Sequence, residues 1–431
     1  MNKKPRTVII GLDGMPYGLM EVFGRDGTMP NFGALTEEGV FRPLASSIPE
    51  VSSVAWSSVI TGQNPGEHGI YGFIDVAPGT YRRTFPNFSN LRAAPFWEGT
   101  PERRSVILNV PTTYPARELN GILIAGFVAL DLERATYPRS LVPTLQKLKY
   151  KVDVDSQKAH QSLSFFLRDL DKTLEARIAV YRHLWSSVAW DTFMLVFTGT
   201  DRLAHFLWDA YEDPSHRHHE AFRDHFRKID LVIGEIADQL DSEDSLLMLS
   251  DHGFERLHRN VYLNHVLQDA GLLHFEAGAR PGLKALGSKA RAFALEPSRI
   301  YLNTRERFPR GSVEETDRDP LLAEITEIFE SLTDEGERVI KRVFRREELY
   351  HGPYAHQAPD LVLLGNSGYN LRASWSASEI FGTDIFSGKH SQADAFLLAW
   401  GEKAEESVPK APNVTDIVGI MDAMRPLYGN S

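Results

Sequence analysis

Asp201-Arg-Leu-Ala-His205 sets a carboxylate and an imidazole four residues apart. On a helical turn that spacing brings both to one side, where they could share one ion. Read by itself, the motif is equally a capping aspartate beside an unrelated histidine. Asp251 and His252 follow the apolar run Leu246–Leu249, and Gly253 permits the backbone turn that two adjacent ligands need. His390 lies in Ser387-Gly-Lys-His390-Ser, a loop of small residues, and Asp13 ends the apolar run Val8–Leu12. Each alone is an ordinary turn or surface residue. As a set they give three carboxylates and three imidazoles, to which Ser52 adds a hydroxyl. That inventory suits two divalent metal ions in mixed nitrogen and oxygen sites, zinc by preference with manganese as the substitute. Two such ions about 3.5–4 Å apart clamp the attacking and leaving oxygens of an in-line displacement. A hydroxyl held by one of them is activated as a nucleophile.

Ser52 belongs to the stretch Ser46–Phe73, which opens on Pro49 and a cluster of hydroxyl residues. A short helix is expected over Val54–Ile60, stopped by Thr61-Gly62 and Asn64-Pro65-Gly66. A serine at the start of such a helix either caps it or presents its oxygen where amides and the helix dipole favour negative charge. Both readings stand on the residues alone, and Ser53 is the rival nucleophile.

Stepping outward, strands are expected over Thr7–Leu12, Arg104–Val110, Ile122–Phe127, Phe193–Phe197, Leu246–Leu249, Asp360–Leu364 and Ala395–Trp400. Amphipathic helices are expected over about Gln161–Trp190 and His219–Leu240. Strands alternating with helices imply an α/β fold with a largely parallel sheet, and such sheets bind ligands beyond the carboxyl ends of their strands. Asp13, Asp201 and Asp251 each sit just past an expected strand.

The chain has 431 residues, enough for a large core, and no clean linker divides it. Acidic residues outnumber Lys and Arg, 58 to 47, which argues against a nucleic-acid polymer as partner. With no cysteine, disulfides, thiolate catalysis and cysteine-based zinc sites are excluded. No run reaches membrane-spanning length and the N-terminal apolar run is too short for a signal peptide, so a cytoplasmic location is expected.

The whole set of motifs resembles the alkaline phosphatase superfamily, in its type I phosphodiesterase/nucleotide pyrophosphatase branch. The resemblance is carried by Val8-Ile-Ile-Gly-Leu-Asp13-Gly, Met29-Pro-Asn-Phe-Gly-Ala-Leu, Ser46–Phe73, Asn109-Val-Pro-Thr-Thr-Tyr-Pro115, Thr200–Trp208, Ser250–Phe254 and Gly388-Lys-His390. It implies a single three-layer domain over 1–431, a mostly parallel sheet between helices, with insertions at about 128–188 and 275–345 shaping the substrate pocket. It implies one metal on Asp201, His205 and His390, and a second on Asp13, Asp251, His252 and the Ser52 oxygen. Ser52 would attack phosphorus to give a phosphoserine, which water then hydrolyses. The expected partner is a small phosphorylated substrate, a nucleotide or another phosphodiester, and no particular oligomeric state is implied.

Two departures narrow this. Nucleotide-cleaving relatives often carry an Asn where this chain has Phe73, so oxyanion donors are expected instead from the Ser53 backbone N–H, Lys389 or the metals. Val54 and Trp56 stand where a sulfatase motif needs Pro and Arg, which disfavours a sulfatase. The resemblance makes phosphodiester cleavage the leading expectation. The alternatives are a phosphomonoesterase, a phosphonate hydrolase or a phosphomutase-like transferase, and, in another class, an inactive binding protein on the same fold.

Overall fold

The computed structural model describes residues 5–425. Eight strands form a central sheet: β1 (Thr7–Leu12), β2 (Val40–Leu44), β3 (Ser105–Val110), β4 (Gly121–Ala125), β5 (Thr136–Tyr137), β6 (Thr192–Phe197), β7 (Ser245–Leu249) and β8 (Ala395–Trp400). Their order across the sheet is β2-β8-β7-β1-β6-β3-β4-β5. The five strands from β7 to β4 run parallel, while β8, β2 and β5 pair antiparallel at the flanks. The apolar runs that mark the parallel strands are unbroken because both faces are covered.

Alternate side chains sort between two cores. Val8, Ile10, Leu12, Phe193, Leu195 and Phe197 face a layer built from α1 (Tyr17–Arg25), α2 (Pro30–Glu38) and three later helices. Those are α4 (Leu163–Ser187), α5 (Gly199–Glu212) and α6 (His219–Ala237). Ile9, Met194, Val196, Leu247 and Leu249 face the other layer, where α3 (Ser52–Thr61) supplies Trp56, Val59 and Ile60 and α7 (Ile417–Met424) supplies Ile420 and Met421. The three-layer α/β architecture expected from the sequence is the one observed.

Register brings the functional ends level. Leu12 pairs with Phe197 and Gly11 with Leu249, so β1, β6 and β7 stop together and Asp13, Thr198–Asp201 and Ser250–His252 leave from one edge. That edge is the carboxyl end of the parallel strands, where open α/β sheets bind ligands.

One strand sits elsewhere than its sequence suggested. Leu361–Gly365 lies in a separate four-stranded antiparallel sheet with Ala292–Leu295, Arg299–Leu302 and Ile340–Arg345. This second sheet packs on the helix Arg318–Glu330 around its own core of Phe293, Tyr301, Leu322, Ile325 and Phe329. A short apolar run reads the same in either sheet, and only pairing partners distinguish them. In the segment 128–188, α4 contributes Phe166, Leu170, Leu174, Tyr181 and Leu184 to the core beneath β6, so that helix is part of the sheet's covering layer.

A buried histidine beyond the C-terminal end of α3 gives this fold a pH dependence. His68 is fully buried, accepts the Ile70 N–H at Nδ1 (3.2 Å) and meets Ser58 Oγ at Nε2 (3.1 Å). A second proton would break the bond from Ile70. Burial holds the His68 pKa down at about 3. The unfolded chain protonates this group near 6.5, so between there and pH 3 the unfolded state binds more protons and stability is lost as pH falls. His68 should contribute a loss of about 1.4 kcal/mol per pH unit below 6.5. Unfolding free energies measured from pH 7 to 5 should show a shallower slope in His68→Gln. An unchanged slope would remove His68 from this role.

Candidate active site

Ser52 is the first residue of α3; Val51 holds the cap position, and no side chain caps the helix. The capping reading of Ser52 is therefore not what the fold uses. Its Oγ donates toward Asp13 Oδ1 at 3.4 Å and lies 3.2 Å from His252 Nε2. Ser53, one position on, turns its Oγ into the interior, where it is buried and without a partner among the described residues.

The six acid and histidine candidates converge on the same edge. His390 Nε2 is 3.1 Å from Asp201 Oδ1 and 3.0 Å from His205 Nε2, and His205 Nε2 is 3.5 Å from Asp201 Oδ1. Beside this trio, His252 Nε2 is 3.4 Å from Asp251 Oδ2 and 3.8 Å from Asp13 Oδ1. The two groups touch through stacked His252 and His390 rings, 3.7 Å between centroids, and through Asp201 Oδ1, 4.0 Å from His252 Nε2. Donor atoms of Asp13, Asp251 and His252 all lie within 4.8 Å of one another, as do those of Asp201, His252 and His390.

Three observations show that this donor set fits cations. Each histidine has its Nδ1 against a backbone carbonyl: His205 on Gly388 at 3.3 Å, His252 on Gly253 at 3.1 Å, His390 on Glu50 at 2.9 Å. That contact places the ring proton on Nδ1 and leaves the Nε2 lone pairs aimed inward. The Nε2 atoms of His205 and His390 lie 3.0 Å apart, a spacing bridged either by a proton on His390, where burial opposes protonation but Asp201 outweighs it, or by a shared cation. Ligands at about 2.0–2.1 Å in a tetrahedron are about 3.3–3.4 Å apart, close to the spacing within the Asp201 trio. Asp251 Oδ2, buried, has no hydrogen-bond partner among the described residues.

The electrostatics agree. Burial, reinforced by Asp251 and Asp201, drives the Asp13 carboxyl well above the usual carboxylate range, and burial brings Asp251 to about 7. Asp201 stays well below that range: burial works against it, but His205, His390 and Arg202 outweigh burial. Burial lowers His205 to about 4 and pushes His252 well below an ordinary histidine. Three buried carboxylates cannot all ionise here unless cations are added.

Residues the sequence did not single out hold this set in place. Trp56 Nε1 donates to Asp13 Oδ2 (3.2 Å), Thr200 Oγ1 to the Asp13 carbonyl (2.6 Å), and Gly14 N–H to Asp251 Oδ1 (3.1 Å). Gly14 has φ +71°, and a Cβ there would press on Asp201 Oδ1 at 3.2 Å. Arg202 donates to Asp201 Oδ2 (2.8 Å), pairs with Asp153 Oδ2 (3.0 Å) and lies 4.2 Å from the Phe127 ring centre. Its adjacency to Asp201 was the available signal. Arg202→Gln should cost about 3 kcal/mol of stability, because Asp201 and Asp153, both largely buried, lose their shared cation. Denaturant unfolding measures this; a cost below about 1 kcal/mol would mean the pair is not held as described.

Lys389 is placed apart from the others. It pairs across the ladder with Glu255, whereas His390 pairs with Phe254, so the two side chains take opposite faces of the strand Gly388–Ser391. Lys389 Nζ is bound to Glu255 Oε1 at 2.6 Å. Phe73 packs edge-on against Phe127, 5.5 Å between centroids, extending a row of rings that ends at Arg202.

The chain matches the model of the family described as type I phosphodiesterase / nucleotide pyrophosphatase over residues 7–392. Among solved structures it is similar to phosphonoacetate hydrolase from Sinorhizobium meliloti 1021 in complex with phosphonoacetate. Identity there is 16%, the alignment covers 98% of this chain and 96% of that one, and the TM-score is 0.65. It is also similar to murine ectonucleotide pyrophosphatase / phosphodiesterase 5, at 12% identity, 99% and 97% coverage and a TM-score of 0.56. An inactive variant of that murine protein in complex with AMP aligns at 13% identity, 99% and 98% coverage and a TM-score of 0.55. No curated protein matches the chain. The fold, the converging donor set and the family match agree on a phosphoric ester hydrolase of the alkaline phosphatase superfamily, and the chain belongs to the type I phosphodiesterase/nucleotide pyrophosphatase family.

Proposed function

We propose that this chain is a two-metal phosphodiesterase acting through a phosphoserine on Ser52. The observation that carries the reading is the convergence of His205 and His390 Nε2, 3.0 Å apart, beside a buried Asp251 Oδ2 that has no hydrogen-bond partner among the described residues. Asp201, His205 and His390 would hold one divalent ion, and Asp13, Asp251, His252 and Ser52 Oγ the other, zinc or manganese in each. Such ions, when bound, supply Lewis acidity that eases loss of the serine proton and offsets charge on the phosphoryl oxygens.

The chain's own residues do the rest. Asp13 Oδ1 accepts from the Ser52 hydroxyl and orients its oxygen. That oxygen forms a bond to phosphorus as the bond to the leaving alcohol breaks, and water later cleaves the serine ester. The Ser53 amide, in the first turn of α3 where helical acceptors are lacking, is available to a phosphoryl oxygen. With Lys389 committed to Glu255, that amide replaces it as the protein's own donor in this scheme. Phe73 and Phe127 offer an apolar wall for one ester group, which favours a diester over a monoester. In this reading the chain works as one unit, with parts of 128–188 and 275–345 bounding the pocket. Among the described residues no helix is long and apolar enough to cross a membrane, and a cytoplasmic setting is proposed from the sequence.

The test is turnover of an aryl phosphodiester, an aryl phosphomonoester and phosphonoacetate by protein loaded with zinc or manganese. Fastest turnover of the diester supports the proposal. Preference for the monoester or the phosphonate moves the assignment within the superfamily, and no turnover of any of them by metal-loaded protein sinks it.

A further inference from the structure

We propose, building on the two-metal reading above, that the Lys389–Glu255 pair is a positioning device for all three histidine ligands. It acts through the short ladder that joins Gly253–Arg256 to Gly388–Ser391. That ladder is two-stranded, with four residues on each side, and a ribbon so small is marginal by itself. Yet each histidine depends on it. His252 directly precedes the first strand and has Nδ1 against the Gly253 carbonyl at 3.1 Å. His390 lies in the second strand, and His205 has Nδ1 against the Gly388 carbonyl at 3.3 Å. Phe254 sits opposite His390 in the register. Its ring centre is 4.8 Å from that of His205, 5.3 Å from that of His390 and 6.3 Å from that of His252. A splayed or twisted ladder would turn all three imidazoles.

The opposite face of the ladder is fastened. Glu255 and Lys389 form the next pair in the register, so their side chains leave from the face away from Phe254 and His390. Lys389 is 6% exposed, and its Nζ donates to Glu255 Oε1 at 2.6 Å. Glu255 also accepts from Ser367 Oγ at 2.6 Å and from the Gly368 N–H at 3.2 Å. Ser367 and Gly368 form the turn between Leu361–Gly365 of the second sheet and the strand Tyr369–Arg372. The Gly368 carbonyl accepts the N–H groups of His258 and Arg259, at 2.8 and 3.1 Å, just past the first strand of the ladder. Gly368 has φ +83°, and a Cβ there would collide with the His258 ring, so the turn lies flush against the chain.

An exposed ion pair would do little here, but this ammonium is largely removed from water. Its charge-assisted bond ties one strand to the other at the pair beside His390, and the Glu255 carboxylate ties both to the second sheet's turn. Groups one layer behind metal-ligating histidines fix ring orientation and, through it, metal affinity. Lys389 does this without facing the ligand cluster, so its effect falls on the metal ions and not on the substrate.

The experiment is calorimetric titration of zinc into the chelator-stripped full chain, with turnover of an aryl phosphodiester measured at saturating zinc. Lys389→Met should weaken zinc binding about ten- to a hundredfold, while KM for the diester at saturating zinc stays at the wild-type value. Lys389→Arg, which keeps the charge and a donor, should recover most of the lost affinity. Ser367→Ala removes one bond to Glu255 from an exposed position, so it carries the test if Lys389→Met does not fold, and it should weaken zinc binding severalfold. Wild-type zinc affinity in both variants would overturn the proposal. So would wild-type affinity with a raised KM in Lys389→Met, which would put the ammonium on the substrate. Wild-type protein that binds no zinc would sink the two-metal reading and this one together, whereas two ions held equally by wild type and variants would sink this one alone.

Discussion

Ser52→Ala is expected to lower phosphodiester hydrolysis by about three orders of magnitude or more while the protein stays folded. The size of the effect follows from what is removed. Among the described residues, Ser52 Oγ is the one hydroxyl that lies against both Asp13 and His252, at 3.4 and 3.2 Å. Ser53 cannot stand in for it, since successive helical residues point about 100° apart and the Ser53 oxygen is enclosed. Ser53→Ala should therefore leave the rate within about tenfold of wild type. The fold should tolerate the change at Ser52 because no cap bond is lost, so stability should stay within about 1 kcal/mol. Six acid and histidine donors remain, and bound metal measured by elemental analysis should be unchanged. Retained turnover in metal-loaded Ser52→Ala would pass the nucleophile's role to Ser53 or to water.

The three aspartate candidates were legible because each sits just past an apolar run that reads as a buried strand. Asp13 after Val8–Leu12 and Asp251 after Leu246–Leu249 are placed by secondary structure alone. His205 follows Asp201 by one helical turn, so local geometry places it too. His390 needed the resemblance, since its position comes from antiparallel pairing of Gly388–Ser391 with Gly253–Arg256, a contact far apart in sequence. The same pairing shows what the sequence could not say of Lys389: adjacent to His390, it faces the other way in a strand and meets Glu255. The sequence read as a loop there, and in a loop no alternation applies. Leu361–Gly365 joined the second sheet for a related reason, because an apolar run does not name its neighbours. Arg202 and Asp153 were invisible as a pair, being 49 residues apart and joined only in three dimensions.

Chelation should abolish turnover and lower the melting temperature together, and added zinc or manganese should restore both. The buried carboxylates tie the two effects together. Asp13, Asp201 and Asp251 lie within one small volume with almost no exposure. Arg202 answers Asp201 directly, and His390 with it, but among the described residues Asp251 Oδ2 has no hydrogen-bond partner and the Asp13 carboxylate takes only the Trp56 and Ser52 bonds. Removing cations leaves these charges facing each other in a medium that screens them poorly. The protein relieves this by taking up protons, and Asp13 and Asp251 are the groups whose affinity for a proton burial has already raised. Metal binding near neutral pH should therefore release protons. Calorimetric titration of metal in buffers of different ionisation enthalpy reads that release directly. At a thousandfold excess over its dissociation constant, each ion bound only to the folded state adds about 4 kcal/mol of stability. Exhaustively chelated protein that keeps its melting temperature and its rate would mean that the histidine and aspartate cluster holds no ion, and the catalytic proposal would fall with it.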